Sequence, residues 1–204
     1  MKAAVAFAMV SGCNAPDRRA PDTASAVSDS STVRPTTPSN TDGLLVTDTS
    51  MGPIRLGMTL DEARKAAPAA NLERTSDGDG VALVEIALAP GASVVVYAGE
   101  DDAAAAIDWA KRIRMIETFG SGLHTAEGVH PGSPVADVEK VYGPLKSVDK
   151  SEIESREYIT FDRQPAGFTF RLDYTGIFPD GSSSTARVAP EAKIYSIAIS
   201  SPVS

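Results

Sequence analysis

Apolar and polar residues alternate in several short runs of the chain, most clearly in Phe168-Thr-Phe-Arg-Leu172. A period of two is typical of a β-strand with one buried side and one side free. The runs with strand character are 81–89, 92–99, 107–116, 156–164, 167–174 and 192–200. Asp-Gly, Pro-Gly and Pro-Ala pairs bound several of them and indicate hairpin turns. The pattern therefore predicts antiparallel sheet.

Two stretches with apolar residues at spacings of three and four predict short helices. Thr59-Leu-Asp-Glu62 matches a capping box, in which the threonine oxygen accepts from the Glu62 amide and the glutamate reaches back. For the second helix, Ser133 is the expected cap and Pro134 fits the first helical position. Pro68 and Gly143-Pro144 are expected to end the two helices.

The two helical stretches and their strands also repeat at a fixed spacing. Residues 54–66 align with 129–141, which places Gly132 75 positions after Gly57. The same offset aligns two strand-like runs of the first half with two of the second. We therefore expect an α+β fold of two tandem repeats, 45–120 and 121–204. Each repeat would be a helix followed by a three-stranded antiparallel meander.

These motifs resemble a known group of domains. Gly57-Met-Thr-x-x-Glu-Ala63 and Gly132-Ser-x-x-x-Asp-Val138, the latter running on to Tyr142-Gly-Pro144, are similar to a helix-opening motif of small periplasmic α+β domains. That group includes the SmpA/OmlA lipoprotein of β-barrel assembly and the tandem β-lactamase inhibitor proteins. The resemblance covers most of residues 45–200 and implies a helix-on-sheet fold and a habit of binding proteins. The inhibitor's disulfides are absent, and no target is implied.

The N-terminus has the pattern of an export signal. Lys2 precedes an apolar run over 3–10, which is much shorter than the ~20 residues that a membrane-spanning helix needs. Val10-Ser-Gly-Cys13 resembles the lipobox of bacterial lipoproteins, which implies that 1–12 is a signal peptide and that Cys13 carries lipid. Asn14 is similar to the outer-membrane sorting pattern, so we expect a periplasm-facing outer-membrane location. An ordinary secretory signal, or a buried N-terminal segment with a chance cysteine, stays open.

Residues 13–44 are expected to join the lipid to the folded part as a disordered linker. Residues 14–44 are rich in Pro, Ser, Thr, Ala and Asp and hold almost no large apolar residue, so they cannot offset their ordering entropy by burial.

The whole chain carries a net charge of −8. This charge argues against nucleic-acid binding, because phosphate contacts need clustered Lys and Arg. Membrane contact is expected through the lipid alone.

The candidate catalytic and metal-binding residues fit structural roles better than chemical ones. His124 and His130 fit turns better than a metal or acid–base pair. Ser147-Val-Asp-Lys150 has the Ser-x-x-Lys spacing but follows a helix end rather than starting a helix. Asp77-Gly-Asp-Gly80 and Glu100-Asp-Asp102 offer oxygens, yet they lack the closing glutamate of a calcium loop. We therefore expect no catalytic residues, no metal site and no cofactor.

Aromatic residues supply the candidates for partner contact. A sheet with helices on one side has its other side free for binding, and aromatic residues are enriched at binding hot spots. The candidates are Trp109, Phe168, Phe170 and Tyr174, with core packing as the alternative role for Trp109. The sequence thus favours a lipid-anchored protein-binding module that is not an enzyme: an envelope assembly factor or an inhibitor of another protein. An envelope-acting enzyme or a small-ligand-binding protein is the alternative.

Overall fold

The computed structural model describes residues 44–152 and 155–201. The expected signal peptide, the lipidated Cys13 and most of the expected linker lie outside these residues. The helices of the described part are α1 (Leu60–Ala66) and α2 (Val135–Tyr142). Its strands are β1 (Leu45–Val46), β2 (Ser50–Met51), β3 (Ile54–Arg55), β4 (Asn71–Ser76), β5 (Ala82–Ala89), β6 (Ala92–Tyr97), β7 (Met115–Thr118), β8 (His124–Thr125), β9 (Leu145–Lys150), β10 (Glu157–Phe161), β11 (Phe168–Leu172), β12 (Ser184–Thr185) and β13 (Ile194–Ser200). Neither described helix is long and apolar enough to cross a membrane.

The strands form two sheets. The larger has nine strands in the order β12-β9-β10-β11-β13-β7-β6-β5-β4, and every neighbouring pair is antiparallel. The smaller has four strands in the order β3-β2-β1-β8, in which β1 and β8 run parallel. The strands of the first half, β4 to β7, and those of the second half, β9 to β13, therefore meet at the β13–β7 pair.

The predicted fold class, two α+β repeats each made of a helix and a three-stranded meander, is wrong. The protein is mostly β, and strands from both halves share one sheet. Ile197 lies opposite Thr118 and Ile199 opposite Ile116 across the β13–β7 junction. All four residues are fully buried. A separate meander would expose this apolar strand edge, and pairing the two strands removes it.

Two strands that the apolar pattern did not indicate account for part of the error. β4 (Asn-Leu-Glu-Arg-Thr-Ser) and β9 (Leu-Lys-Ser-Val-Asp-Lys) follow the helices directly. Both are largely polar because β4 is an edge strand and β9 is covered on its outer side by the two residues of β12. Conversely, the strand predicted over 107–116 is mainly loop, and β7 begins only at Met115.

The helices begin largely where their caps predict. The Thr59 side chain accepts from the Glu62 amide at 3.2 Å, and the Glu62 carboxylate accepts from the Thr59 amide at 2.7 Å. This capping box confirms the predicted start of α1. Ser133 does not cap α2, whose N-cap residue is Pro134. The Ser133 hydroxyl instead accepts from the His130 amide at 3.0 Å and closes the preceding turn.

The turns before the helices have matching backbone hydrogen bonds. Gly57 has φ +80° and donates its amide to the Ile113 carbonyl at 2.8 Å. Gly132 has φ +94° and donates to the Ile194 carbonyl at 2.7 Å. A positive φ strains residues that carry a Cβ atom, so glycine suits both turns. The two predicted repeats therefore match at these turns. The strands that follow the turns join one sheet instead of forming two separate units.

A single hydrophobic core holds both helices and both sheets together. Its residues lie on one face of the nine-stranded sheet, beneath the buried faces of α1 and α2 and beside the small sheet. Its largest fully buried side chains are Phe161, Phe170, Met51, Ile54, Leu60, Ile86, Ile113, Ile116, Leu123, Ile159, Ile194 and Ile197. Burial of this apolar area is the main stabilising term of the fold. Neither of the two described helices packs on the opposite sheet face.

Candidate binding site on the helix-free sheet face

The side chains of the helix-free face come from the positions between the core residues. On β11, Thr169 and Arg171 lie between the buried residues Phe168, Phe170 and Leu172. Leu83, Val95 and Met115, on neighbouring strands, are half-buried and take no part in the hydrophobic core. The pleat of the strands thus separates a helix-covered face from a second face of mixed polarity.

This second face is concave. Thr75 near the end of β4 and Arg171 on β11 line one cavity of about 310 Å³. The two strands are five steps apart in the sheet order, which corresponds to about 24 Å in a flat sheet at ~4.8 Å per step. Both can line the same cavity only if the sheet curves around it, as strong strand twist allows. We call this cavity groove A.

A buried ion pair occupies the floor of groove A. Glu117 on β7 accepts from Nη1 of Arg171 at 3.0 Å and from the Ser196 hydroxyl at 2.5 Å. The Arg171 and Glu117 side chains are only 15% and 11% exposed. Two charges removed from water to this extent stabilise each other, and either one left alone would be costly. The pair therefore connects β7, β11 and β13 and fixes the groove floor.

Two exposed aromatic rings stand beside the ion pair. The Tyr195 ring lies 5.3 Å from the Arg171 guanidinium carbon and 5.5 Å from the Phe119 ring, which it meets edge to face. Tyr195 is 43% exposed and Phe119 is 40% exposed. Arg171 pairs with Ser196 and Leu172 with Ile194, so Tyr195 is an extra residue at a bulge of β13. Bulges redirect side chains in this way. We call Phe119 and Tyr195 the aromatic ridge.

The loop after β7 holds Phe119 in place. Gly122 donates its amide to the Gly91 carbonyl at 3.1 Å. A Cβ atom on Gly120 would lie 2.5 Å from the Gly91 oxygen, and one on Gly122 would lie 2.6 Å from it. Only glycine permits so close an approach of two backbones. The contact with the β5–β6 turn therefore keeps the exposed Phe119 ring on a closely packed loop.

A second groove lies on the other side of the aromatic ridge. It has a volume of about 430 Å³, and Phe119 and Tyr195 line it as well as groove A. Its other lining residues are Ser121, Pro131, Gly132, Asp173, Thr175, Glu191, Lys193 and Ile194. We call it groove B. The ridge and its two grooves form a continuous surface with apolar rings at the centre and charged groups around them.

The structure distributes the predicted partner-contact residues over different places. Phe168 and Phe170 are buried in the core and are not available to a partner, since the larger apolar area of β11 lies on the helix side. Trp109 is half-buried, with the Arg64 guanidinium 4.8 Å from its ring centre. Tyr174 is 67% exposed and lies between groove B residues Asp173 and Thr175. Its φ of +53° is unusual for a bulky residue.

The other residues singled out in the sequence take structural roles. The Nδ1 atom of His124 lies 3.0 Å from a backbone carbonyl oxygen, and that of His130 lies 2.7 Å from another. Ser147 lies on β9 and donates to Asp149 at 2.7 Å. Asp77 accepts from the amides of Asp79 and Val81 and closes the predicted hairpin turn. Among the described residues, no three His, Cys, Asp or Glu side chains are placed to hold a metal ion.

Polar pairs outside the grooves support the scaffold. Glu100 accepts from both terminal nitrogens of Arg74, at 2.8 and 3.0 Å, and these hydrogen bonds lower the pKa of its carboxyl. Burial raises the pKa of Tyr142 to about 12. Its hydroxyl donates to Glu127 at 2.9 Å and thereby lowers the pKa of that carboxyl. Neither pair lines groove A or groove B.

Sequence reasoning did not find Phe119, Tyr195 or the Arg171–Glu117 pair. The partners of the pair are 54 positions apart, and no local period relates them. Phe119-Gly-Ser-Gly122 did carry a signal, because an aromatic residue followed by two glycines is typical of a constrained turn. The exposure of Tyr195 depends on a bulge that the strand pattern does not show.

Comparisons with known proteins show a structural likeness. No protein-family model matches the chain, and no curated protein matches it. The crystal structure of the uncharacterized protein yfeY from Escherichia coli is similar, with a TM-score of 0.49 and 14% sequence identity. The likeness covers 76% of this chain and 99% of that chain. At this TM-score no property is transferred from one protein to the other.

Proposed function

We propose that this protein is a protein-binding module and that its partner binds the concave face around the aromatic ridge. The observation that carries the proposal is the pair of exposed rings, Phe119 and Tyr195, set between two grooves. Aromatic side chains contribute large contact areas at a small entropic cost and are enriched among binding hot spots. The ridge is the part of the face best suited to that role.

The rigidity of the ridge supports the same proposal. Phe119 precedes a loop packed on Gly91, and Tyr195 contacts the guanidinium of the buried Arg171. Side chains already ordered before binding lose little conformational freedom in the complex, so more of their contact energy appears as affinity. Tyr174 would add a third exposed ring beside groove B.

The proposal includes the location inferred from the N-terminal sequence. Cys13 would carry lipid and hold the protein at the outer membrane, facing the periplasm, with residues 14–44 as the tether. An assembly factor or an inhibitor of another envelope protein would both suit this arrangement. Replacing Cys13 with serine should leave the protein unlipidated, which intact-mass measurement of the membrane and soluble fractions would detect. Wild-type protein that retains Met1 and carries no acyl mass would contradict the anchor.

Binding of a small ligand in groove A is the second candidate function. The groove volume of about 310 Å³ lies at the lower end of the range for ligand pockets, roughly 300–1,000 Å³. Arg171 and Glu117 at its floor hold each other, which leaves fewer polar groups free to orient a ligand. Protein binding therefore remains the leading proposal.

Site-specific photocrosslinking tests the protein-binding face directly. A benzophenone amino acid is introduced in place of Phe119 or Tyr195 in the full-length chain and irradiated in the native cells. The control position is Lys140 on α2, whose side chain is 75% exposed on the helix-covered side. We expect a discrete protein adduct from both ridge positions and none from position 140. Equal yields at all three positions, or none at any, would refute the proposed face.

A further inference from the structure

Exposed carboxylates surround the aromatic ridge. Glu85 lines groove A, and Asp173 and Glu191 line groove B. All three residues are exposed, and none has an ion-pair partner among the described residues. Asp77 also lines groove A, with its carboxylate oriented by the amides of its own turn. Each groove therefore offers negative charge next to an apolar ring.

The positive groups of the grooves are fewer or already engaged. Arg171 is neutralised by Glu117 at 3.0 Å. Arg156 lines groove A and has an interaction of its own, and Lys193 lines groove B. Besides the Arg171–Glu117 pair, four carboxylates thus face two cationic side chains. Complementary charge across an interface favours the matching partner and accelerates its association.

The rings of the ridge themselves favour a cationic partner. Tyr195 already has the Arg171 guanidinium 5.3 Å from its ring centre, which shows that the ring environment accommodates a cation. A Lys or Arg side chain near an exposed aromatic face gains a favourable cation–π interaction. The carboxylates and the aromatic rings therefore both favour a cationic side chain, in groove A as in groove B.

The arrangement of the two grooves indicates the shape of the occupant. Both grooves have Phe119 and Tyr195 in their walls, so an occupant that fills both must cross the ridge. An extended polypeptide places successive side chains on opposite sides and repeats every ~6.6 Å on each side. Such a segment can set an apolar side chain on the ridge and direct basic side chains into the grooves from the positions two residues before and after it, which lie on the same side.

We infer that the partner presents an extended, basic segment of polypeptide, with Lys or Arg flanking an apolar or aromatic anchor. This inference rests on the proposed protein-binding function and adds the chemistry of the partner. The anchor would pack on Phe119 and Tyr195. The basic side chains would meet Glu85 in groove A and Asp173 and Glu191 in groove B.

Binding of a matched peptide panel tests the inference. Three fluorescein-labelled ten-residue peptides share the same apolar and aromatic positions and carry Lys, Ser or Glu at the positions two residues before and after the aromatic anchor. Their affinities for the full-length chain are measured by fluorescence anisotropy. We expect the Lys peptide to bind at least about tenfold more tightly than the Ser peptide, because several exposed charge pairs each contribute up to about fivefold. The Glu peptide should bind most weakly.

Matched variants separate a local effect from the overall negative charge. Glu85→Gln combined with Glu191→Gln should weaken binding of the Lys peptide by about three- to tenfold and leave the Ser peptide unchanged. Asp48→Asn combined with Asp101→Asn removes the same charge from exposed positions that do not line either groove, and should change neither affinity. A Lys preference that both double variants reduce equally would overturn the inference.

The outcomes also distinguish this inference from the proposed function. If the three peptides bind alike but Phe119→Ser weakens all of them, the binding face stands and the basic partner is refuted. If no peptide binds, the partner segment crosslinked at position 195 is sequenced, and a segment without nearby Lys or Arg refutes the inference. If no peptide binds and the ridge positions also give no adduct, both proposals fail.

Discussion

Replacing Glu117 with glutamine should destabilise the whole fold, because Arg171 would lose its counter-ion on the groove floor. Removing one partner of a buried pair typically costs about 3–5 kcal/mol. The two side chains here keep 15% and 11% of their exposure, so water can compensate for part of the loss. We therefore expect the free energy of unfolding to fall by about 2–3 kcal/mol. For a domain of this size, that corresponds to a decrease in Tm of about 4–12 °C.

Urea denaturation of the full-length chain, followed by circular dichroism, measures this effect. Arg171→Gln should cost a similar amount, with a further loss of up to about 1 kcal/mol from its contact with Tyr195. The double variant should be less destabilised than the sum of the single ones, by about 2 kcal/mol, because neither charge is then left alone. Asp137→Asn, which breaks an exposed pair with Lys140, serves as the control and should have little effect.

Additive effects of the two substitutions would show that Glu117 and Arg171 do not act as a pair. If Glu117→Gln and Arg171→Gln each cost less than about 1 kcal/mol and their effects add in the double variant, the pair does not stabilise the groove floor. The m-value of each variant should match that of the wild type, because an altered m-value would indicate a change in two-state behaviour rather than in the ion pair.

Two further predictions concern the ridge loop and the acid stability of the fold. Gly122→Ala should lower the free energy of unfolding, measured by urea denaturation, by about 1–3 kcal/mol, because its Cβ would lie 2.6 Å from the Gly91 oxygen. Gly78→Ala is the control and should be nearly neutral, since its Cβ would meet nothing within 4 Å. The folded-state pKa of Glu127 is lowered by the Tyr142 hydroxyl, so its stabilisation is complete above the ordinary value of 4.5 and is lost as pH falls through the lowered pKa. Tyr142→Phe should therefore reduce the dependence of unfolding free energy on pH below about 4.5, and an unchanged acid profile would show that this hydrogen bond does not set it.

Local sequence determined the elements that depend on neighbouring residues. The capping box of Thr59 and Glu62 sets the start of α1, and Asp77 closes the turn between β4 and β5. The runs 81–89 and 92–99 contain the observed strands β5 and β6 almost unchanged. Caps, turns and alternation act over two to four residues, so their physical causes are present in the sequence itself.

Tertiary structure decided which strands join and which face is covered. The β7–β13 pair joins residues about 80 positions apart, and it forms because it buries Ile116, Ile197 and Ile199 together. The alternation of β11 showed that Phe168 and Phe170 share one face but not that this face would lie under the helices. Burial of the larger apolar side chains settles that choice, because the free energy of burial scales with the apolar area removed from water. The ridge of Phe119 and Tyr195 and the Arg171–Glu117 pair arise only from these long-range pairings, since a bulge and a cross-strand contact depend on the partner strand as much as on the local sequence.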